Sequence, residues 1–379
     1  MRVLYDFQAF MQKYGGISRC FSELLYNMSK DVDFVVSVKN SPNVYLKEMN
    51  LDTKCENLNL LERFLLYSNS FQGKIIRKVM KKIFNYPISL NENELLSIKS
   101  LKRGDFDVFH PTYFSDYFLE YLKGKPFVLT IHDMIPELFP EYYKQNDIQV
   151  VNKKKLASLA AHIVAVSENT KKDIVNLLGI PESKITVVYH GGPDVVEIKN
   201  VKKYDFKFVL YVGGRGQYKN FREFLMQFRY LIKSEPDLKL VCTGSEFSDE
   251  EVGFIKDLGL ENCVIHYFVS SSELYNFYMQ ADAFVYPSKY EGFGIPILEA
   301  FACGCPVILN DASCFPEIAE DAALYFRTDE ECSFIECYNK LKDREFKSDL
   351  VQKGYSRLKF FSWEKAAKEL EFVYKRVLE

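Results

Sequence analysis

The chain has little of what several functional classes require. It holds five histidines and one tryptophan in 379 residues, and its nine cysteines are scattered without a repeating frame. An odd, unframed set argues against a disulfide scaffold and suits a reducing compartment. Lys and Arg (49) nearly balance Asp and Glu (52), so the net charge of −3 provides no global attraction to nucleic acid. No apolar run approaches the ~20 residues that span a bilayer. The opening MRVLYDFQAF lacks the basic start and apolar core of a signal peptide. No Ser-His-Asp grouping or Walker lysine motif stands out, so a hydrolase reading has little support. The expected location is cytoplasmic.

What is present is an alternation of short apolar runs and helical patterns, the signal of parallel sheets built from βαβ units. Strands are expected at 2–5, 33–38, 107–110, 127–131, 162–166 and 185–189, with helices at 17–28, 152–160 and 168–178. Ser167 stands where the last of these helices needs its N-cap. The polar, turn-rich stretch 191–205 reads as a linker. Strands then resume at 208–212, 239–242, 264–267, 283–286, 307–309 and 324–326, with a helix from Phe221. The pattern predicts an α/β chain of two Rossmann-like domains facing a cleft, 1–195 and then 206–362, followed by the closing segment 363–379. One segment departs from this pattern. At helical spacing, 73–84 puts Lys74, Arg77, Lys78, Lys81 and Lys82 on one face and apolar residues on the other. That suits either a helix touching the inner leaflet of a membrane or a surface helix packed on the core.

The most informative stretch is EGFGIPILE, in which Glu291 and Glu299 bracket seven residues after an apolar run and a Pro-Ser turn. Pro296 suits the first position of a helix. Gly292 and Gly294 let the loop approach a ligand, with Phe293 and Ile295 between and after them. The amides of Ile297, Leu298 and Glu299 are expected to point out of the helix as a diphosphate site. Glu299 would accept from ribose hydroxyls, and Glu291 would reach toward another polyol. Surface acids in a first helical turn also occur without any ligand.

Upstream, VGGRGQYKNF ends a strand with Gly213 and Gly214 and then supplies Arg215 and Lys219, a guanidinium fork and a point charge suited to pyrophosphate. Gly15 and Gly16 form a flexible loop ahead of the first helix, suited to phosphate or acceptor. His132 and His110 each end a strand on the first sheet, with Tyr113 close behind His110. His110, Tyr113 and Ser167 are candidates on the acceptor side. The Asp-x-Asp pairs Asp31/Asp33 and Asp105/Asp107 precede their strands, at the wrong end for the cleft. Cys303 and Cys305 lack a second pair to complete a tetrahedral site. No metal and no cofactor is expected.

With these residues in place, the chain resembles the retaining nucleotide-sugar transferases of glycosyltransferase family 4, which have the GT-B fold, in their bacterial polysaccharide branch. The likeness runs nearly the whole length, through TIHDMIPELFPEYY, AVSENTKKDIVNLLGIPESKITVVYHG, VGGRGQYKNF, the Glu291-to-Glu299 signature and the closing FSWEKAAKELEFVYKRV. HGGPD at 190–194 departs from the Asn-Gly-Val of many relatives. The resemblance implies that Glu299 holds the ribose and that Arg215 and Lys219 neutralise the diphosphate. It also implies that Glu291 and the amides of Phe293 and Gly294 face the donor sugar, with His132 near that sugar and Gly16 near the phosphates or acceptor.

The implied reaction is metal-free transfer, with retention, from a GDP- or UDP-linked sugar to a glycan, such as a lipid-linked oligosaccharide in O-antigen or capsule assembly. Alternatives are a silent nucleotide-sugar-binding scaffold, another GT-B enzyme such as an epimerase or phosphorylase, and a metal-dependent transferase using Asp105 and Asp107.

Overall fold

The computed structural model describes residues 1–51, 91–143, 147–196 and 203–379, with isolated positions between 52 and 90. The basic amphipathic segment 73–84 lies, apart from Val79, outside the described residues.

Strands β1 (Arg2–Tyr5), β2 (Asp33–Val36), β3 (Val108–His110), β4 (Val128–Ile131), β5 (His162–Ala165) and β6 (Ile185–Val187) build the first unit. They pair in parallel as β2-β1-β3 and β4-β5-β6, and a bridge between Phe109 and Phe127 joins the two sets. Strands β7 (Phe208–Tyr211), β8 (Lys239–Thr243), β9 (Val264–Tyr267), β10 (Ala283–Tyr286), β11 (Val307–Asn310) and β12 (Leu324–Phe326) form one parallel sheet in the order β12-β11-β10-β7-β8-β9. Every residue of β7, β10 and β11 is buried, because helices cover both faces of the sheet; this explains runs such as FVLY and AFVY that do not alternate. Strand order reverses between β7 and β10, which opens a crevice at their C-terminal ends.

The helices that shape the cleft are α1 (Gly16–Tyr26), α2 (Ile148–Leu159), α3 (Glu168–Leu178), α4 (Phe221–Ser234), α5 (Ser271–Gln280), α6 (Ile295–Ala302), α7 (Arg344–Leu358) and α8 (Trp363–Arg376). The start of α2 lies four residues ahead of its expected position, because the Asp147 side chain caps the Gln149 amide and begins the helix there. Ser167 caps α3 by accepting from the Thr170 amide at 3.0 Å. Helix α8 crosses back onto the first domain, where Trp363, Leu370, Val373 and Tyr374 pack with Val3, Tyr5 and Phe21. Full burial of each such side chain contributes about 1.5–3 kcal/mol, so this helix ties the chain's end to its first strand.

The Asp-x-Asp pairs sit at strand starts, away from the cleft. Arg2 Nε lies 3.1 Å from Asp33, the Arg2 amide donates to Asp107 at 2.7 Å, and Arg103 pairs with Asp105 at 2.6 Å. Among the described residues, no helix is long and apolar enough to cross a membrane.

Candidate active site in the interdomain cleft

The loop leaving β10 enters α6 with no room for a side chain at residue 292. A Cβ there would stand 1.7 Å from the His132 carbonyl oxygen. Gly294, at φ +94, closes the loop in the left-handed region and caps α6, with Pro296 in its first turn. Ser313 holds the loop from below, accepting from the Glu291 amide at 3.2 Å and donating to the Glu291 carbonyl at 2.7 Å.

The free amides include those of Phe293 and Gly294 and extend ahead of the helical amides expected as the diphosphate site. Ile297 donates to the Gly294 carbonyl at 2.9 Å, and Glu299 is the fifth residue of α6, inside its hydrogen-bond ladder. The N–H groups of Gly292, Phe293, Gly294 and Ile295 instead have no protein acceptor among the described residues. Four consecutive N–H groups at the positive end of a helix make an anion site, displaced by one turn.

Two carboxylates flank these amides, each already paired with a cation. Lys219 Nζ lies 2.6 Å from Glu291 Oε1. Buried Glu299 meets Arg19 of α1 from the opposite domain, Nη1 to Oε1 at 2.6 Å, and its other oxygen accepts from Tyr278 at 3.4 Å. Burial works against the Arg19 charge, but Glu299 outweighs it and pushes the guanidinium's pKa up. Sequence reasoning missed Arg19, since no local signal aligns an arginine on the first helix with a carboxylate 280 residues away.

Arg215 does not join this group. Its Nε lies 2.9 Å from Glu251, and its Nη2 donates at 2.7 Å to the carbonyls of Ser245 and Glu246. Its guanidinium also lies 4.6 Å from the Phe247 ring centroid. Burial works against the Glu251 carboxylate, but the Arg215 hydrogen bond prevails and its pKa falls below the ordinary value. Only Nη1 of Arg215 remains without a partner. The glycines beside it, including Gly214, bring the chain to the sheet edge, where Tyr211 donates to the Gly214 carbonyl at 2.6 Å.

From the first domain, His132 projects at the end of β4 with Nε2 buried and unpartnered among the described residues. Burial first, and then the nearby Lys153 charge, lower its pKa to about 4, so the ring is neutral. Lys153 is itself buried, donating to Glu137 at 2.8 Å and to the Asp133 carbonyl at 3.2 Å. Gly15 and Gly16 open α1 on the same side, and the Cβ position of Gly16 meets nothing within 4 Å. Asp6, buried after β1, accepts from the Thr112 amide at 2.9 Å and from Gln8, tying the two loops of this edge together.

The three acceptor-side candidates all have protein partners for their polar groups. His110 is a core residue, with Nδ1 2.6 Å from the Tyr374 hydroxyl and Nε2 2.9 Å from Thr130. Both nitrogens are used, and burial lowers its pKa to about 3. The Ser167 hydroxyl is also consumed, since it caps α3 and donates to the Gly292 carbonyl at 2.7 Å. Tyr113 stands half-buried, its hydroxyl donating to Gln149 at 3.1 Å. The sequence also gave no sign of a buried cluster in which Cys20, His132 and His190 bring ligand atoms within 4.8 Å of one another. Burial keeps Cys20 a thiol, and its Sγ lies 3.3 Å from His190 Nδ1. Cys303 and Cys305 are buried thiols with raised pKa values.

The domains close on one another at several further points. Glu317 accepts from the Glu168 and Asn169 amides at 2.7 and 3.0 Å, and Tyr290 donates to Asp173 at 2.6 Å. The rings of Phe139 and Tyr218 stack across the cleft at 6.3 Å.

Comparison with known proteins identifies this architecture. Residues 196–357 match the family Glycosyl transferases group 1, and residues 66–192 match Glycosyltransferase Family 4. The chain is 28% identical over 265 residues to O-antigen chain mannosyltransferase B of Escherichia coli, covering 65% of this chain and 70% of that one. It is 31% identical over 209 residues to O-antigen chain mannosyltransferase RfbU of Salmonella typhimurium, covering 54% of this chain and 58% of that protein's length. The crystal structure of Anabaena Alr3699/HepE in complex with UDP and glucose superposes with a TM-score of 0.72 over 99% of both chains; at 15% identity the likeness speaks for the fold alone. The chain is a glycosyltransferase of the GT-B fold, its first domain matching Glycosyltransferase Family 4 over 66–192 and its second matching glycosyl transferases group 1 over 196–357.

Proposed function

We propose that this glycosyltransferase moves a hexose from a nucleoside diphosphate sugar to a lipid-linked glycan in surface polysaccharide assembly, with retention and without a metal. The observation that carries this reading is the run of four unpartnered amides at the mouth of α6, beside the Lys219–Glu291 pair and packed at Gly292 on the His132 carbonyl. Such a site accepts the two phosphates through hydrogen bonds and one ammonium, which stabilises the leaving diphosphate as its charge develops. The acceptor hydroxyl oxygen then bonds to the anomeric carbon as the bond to the β-phosphate oxygen breaks. The departing phosphate takes the hydroxyl proton on the same face, which gives retention. Glu299 is assigned to the ribose rather than the scissile bond, so the two-carboxylate scheme of glycosidases does not apply. The closed domains exclude water and suppress hydrolysis of the donor.

The O-antigen mannosyltransferases among the relatives support a mannosyl donor, with GDP-mannose the first to test and UDP-linked hexoses next. The lipid-linked acceptor rests on the family resemblance and on the basic and apolar pattern of 73–84. The test is turnover of GDP- and UDP-hexoses on a polyprenyl-diphosphate oligosaccharide in EDTA, with the new linkage read by NMR. Product that keeps the donor's anomeric configuration supports the proposal. An inverted linkage, or turnover abolished by EDTA and restored by a divalent ion, overturns it.

A further inference from the structure

We infer that Arg19 is the first domain's ligand for the donor diphosphate, held before binding by the same Glu299 that the nucleoside then occupies. The inference rests on the nucleotide-sugar reading above and adds a residue to that site.

Arg19 lies one turn into α1, just past Gly15 and Gly16, on the helix whose start faces the cleft. Its side chain is 21% exposed and that of Glu299 only 8%, so both charges are largely removed from water. Such a pair cannot be opened on one side without penalty, because an uncompensated buried charge is strongly destabilising. Glu23 is the other carboxylate near the guanidinium, at 4.0 Å, too far for a hydrogen bond. A ligand that takes Glu299 must therefore also supply Arg19 with an anion.

A nucleoside diphosphate meets both demands at once. Its ribose hydroxyls donate to the carboxylate that Arg19 releases, and its phosphate oxygens accept from the freed guanidinium. The planar fork of an arginine suits paired phosphate oxygens better than an ammonium does. Arg215, the arginine that the sequence favours for this role, is committed to Glu251 and two carbonyls, and has one nitrogen left. The exchange also replaces a direct ion pair across the cleft with one bridged by the ligand, so donor binding and domain contact are coupled.

The test is isothermal titration, in EDTA, of UDP, GDP, uridine and guanosine into the wild type, Arg19→Gln, Arg19→Lys and Arg215→Gln. Circular dichroism checks that each variant is folded. The inference predicts that Arg19→Gln weakens the preferred diphosphate by about tenfold or more, while the matching nucleoside binds as well or better. Arg19→Lys should fall between, and Arg215→Gln should discriminate far less between diphosphate and nucleoside. Equal loss of both ligands in Arg19→Gln, or loss of neither, overturns the role of Arg19 while leaving the nucleotide site standing. A wild type that binds none of the four overturns the reading of a UDP- or GDP-linked donor and this inference with it.

Discussion

The Ser167 hydroxyl donates to the Gly292 carbonyl across the cleft at 2.7 Å, so the cap of a first-domain helix is also a clasp on the loop that leads into α6. The same loop touches the His132 carbonyl at residue 292, and this packing makes the position intolerant of any side chain.

Gly292→Ala therefore tests the closed contact. The added methyl has to push His132 or the loop away, at a cost of about 1–3 kcal/mol. The expected outcome is a folded protein with a lower Tm, a wider cleft in solution scattering and strongly reduced transfer. Unchanged scattering and activity would show that the loop does not pack on β4 in solution.

Lys219→Ala removes the cation beside Glu291 and the free amides. Loss of one such group costs about 10²–10³ in kcat. Glu291 is left without its partner, so a smaller defect in Lys219→Ala/Glu291→Gln than in Lys219→Ala alone would show that the unpaired carboxylate adds to the loss. Kinetics with saturating donor check this.

Tyr374→Phe separates a core histidine from a catalytic one. The variant deprives His110 Nδ1 of its hydroxyl partner, and the expected loss is about 1–3 kcal/mol in denaturant unfolding with kcat unchanged. A fall in kcat without loss of stability would return His110 to the active site.

The histidines also set a pH dependence. Burial lowers His132 to about 4 and His110 and His190 to about 3, well below the ordinary value near 6.5. Between these values the unfolded chain binds more protons than the folded one, so stability is complete above pH 6.5 and is lost as pH falls toward 4. Each ring contributes a slope of up to about 1.4 kcal/mol per pH unit in that window. Denaturant midpoints at pH 7.5, 6 and 5 should decline steadily. A flat profile would mean that water reaches these rings.

The fold was legible because its signals are local. FVLY, AFVY and VILN are short apolar runs, and Gly294 and Pro296 mark the start of α6 in the sequence itself. The loops bearing Lys219 and Glu291 could be placed because each follows directly from such a strand. The rest depends on contacts between distant segments, which have no local signature. Arg19 with Glu299, Ser167 with Gly292, and Cys20 with His190 each join different elements. The partners of Arg215 and His110 were hidden for the same reason. Each stands at a strand end facing the cleft in sequence, yet Glu251 captures one and Tyr374 with Thr130 the other.

The most direct test of the central claim is a thermal-shift panel of UDP-, GDP-, ADP- and dTDP-linked sugars in EDTA, on the wild type and on Glu299→Gln. A stable complex at a hundredfold excess over Kd adds about 2.7 kcal/mol to the folded state. The account predicts a selective rise in Tm for one nucleotide class without metal, and loss of that rise in Glu299→Gln. A rise that requires a divalent ion, or one that survives intact in Glu299→Gln, would contradict a metal-free nucleotide site at the start of α6.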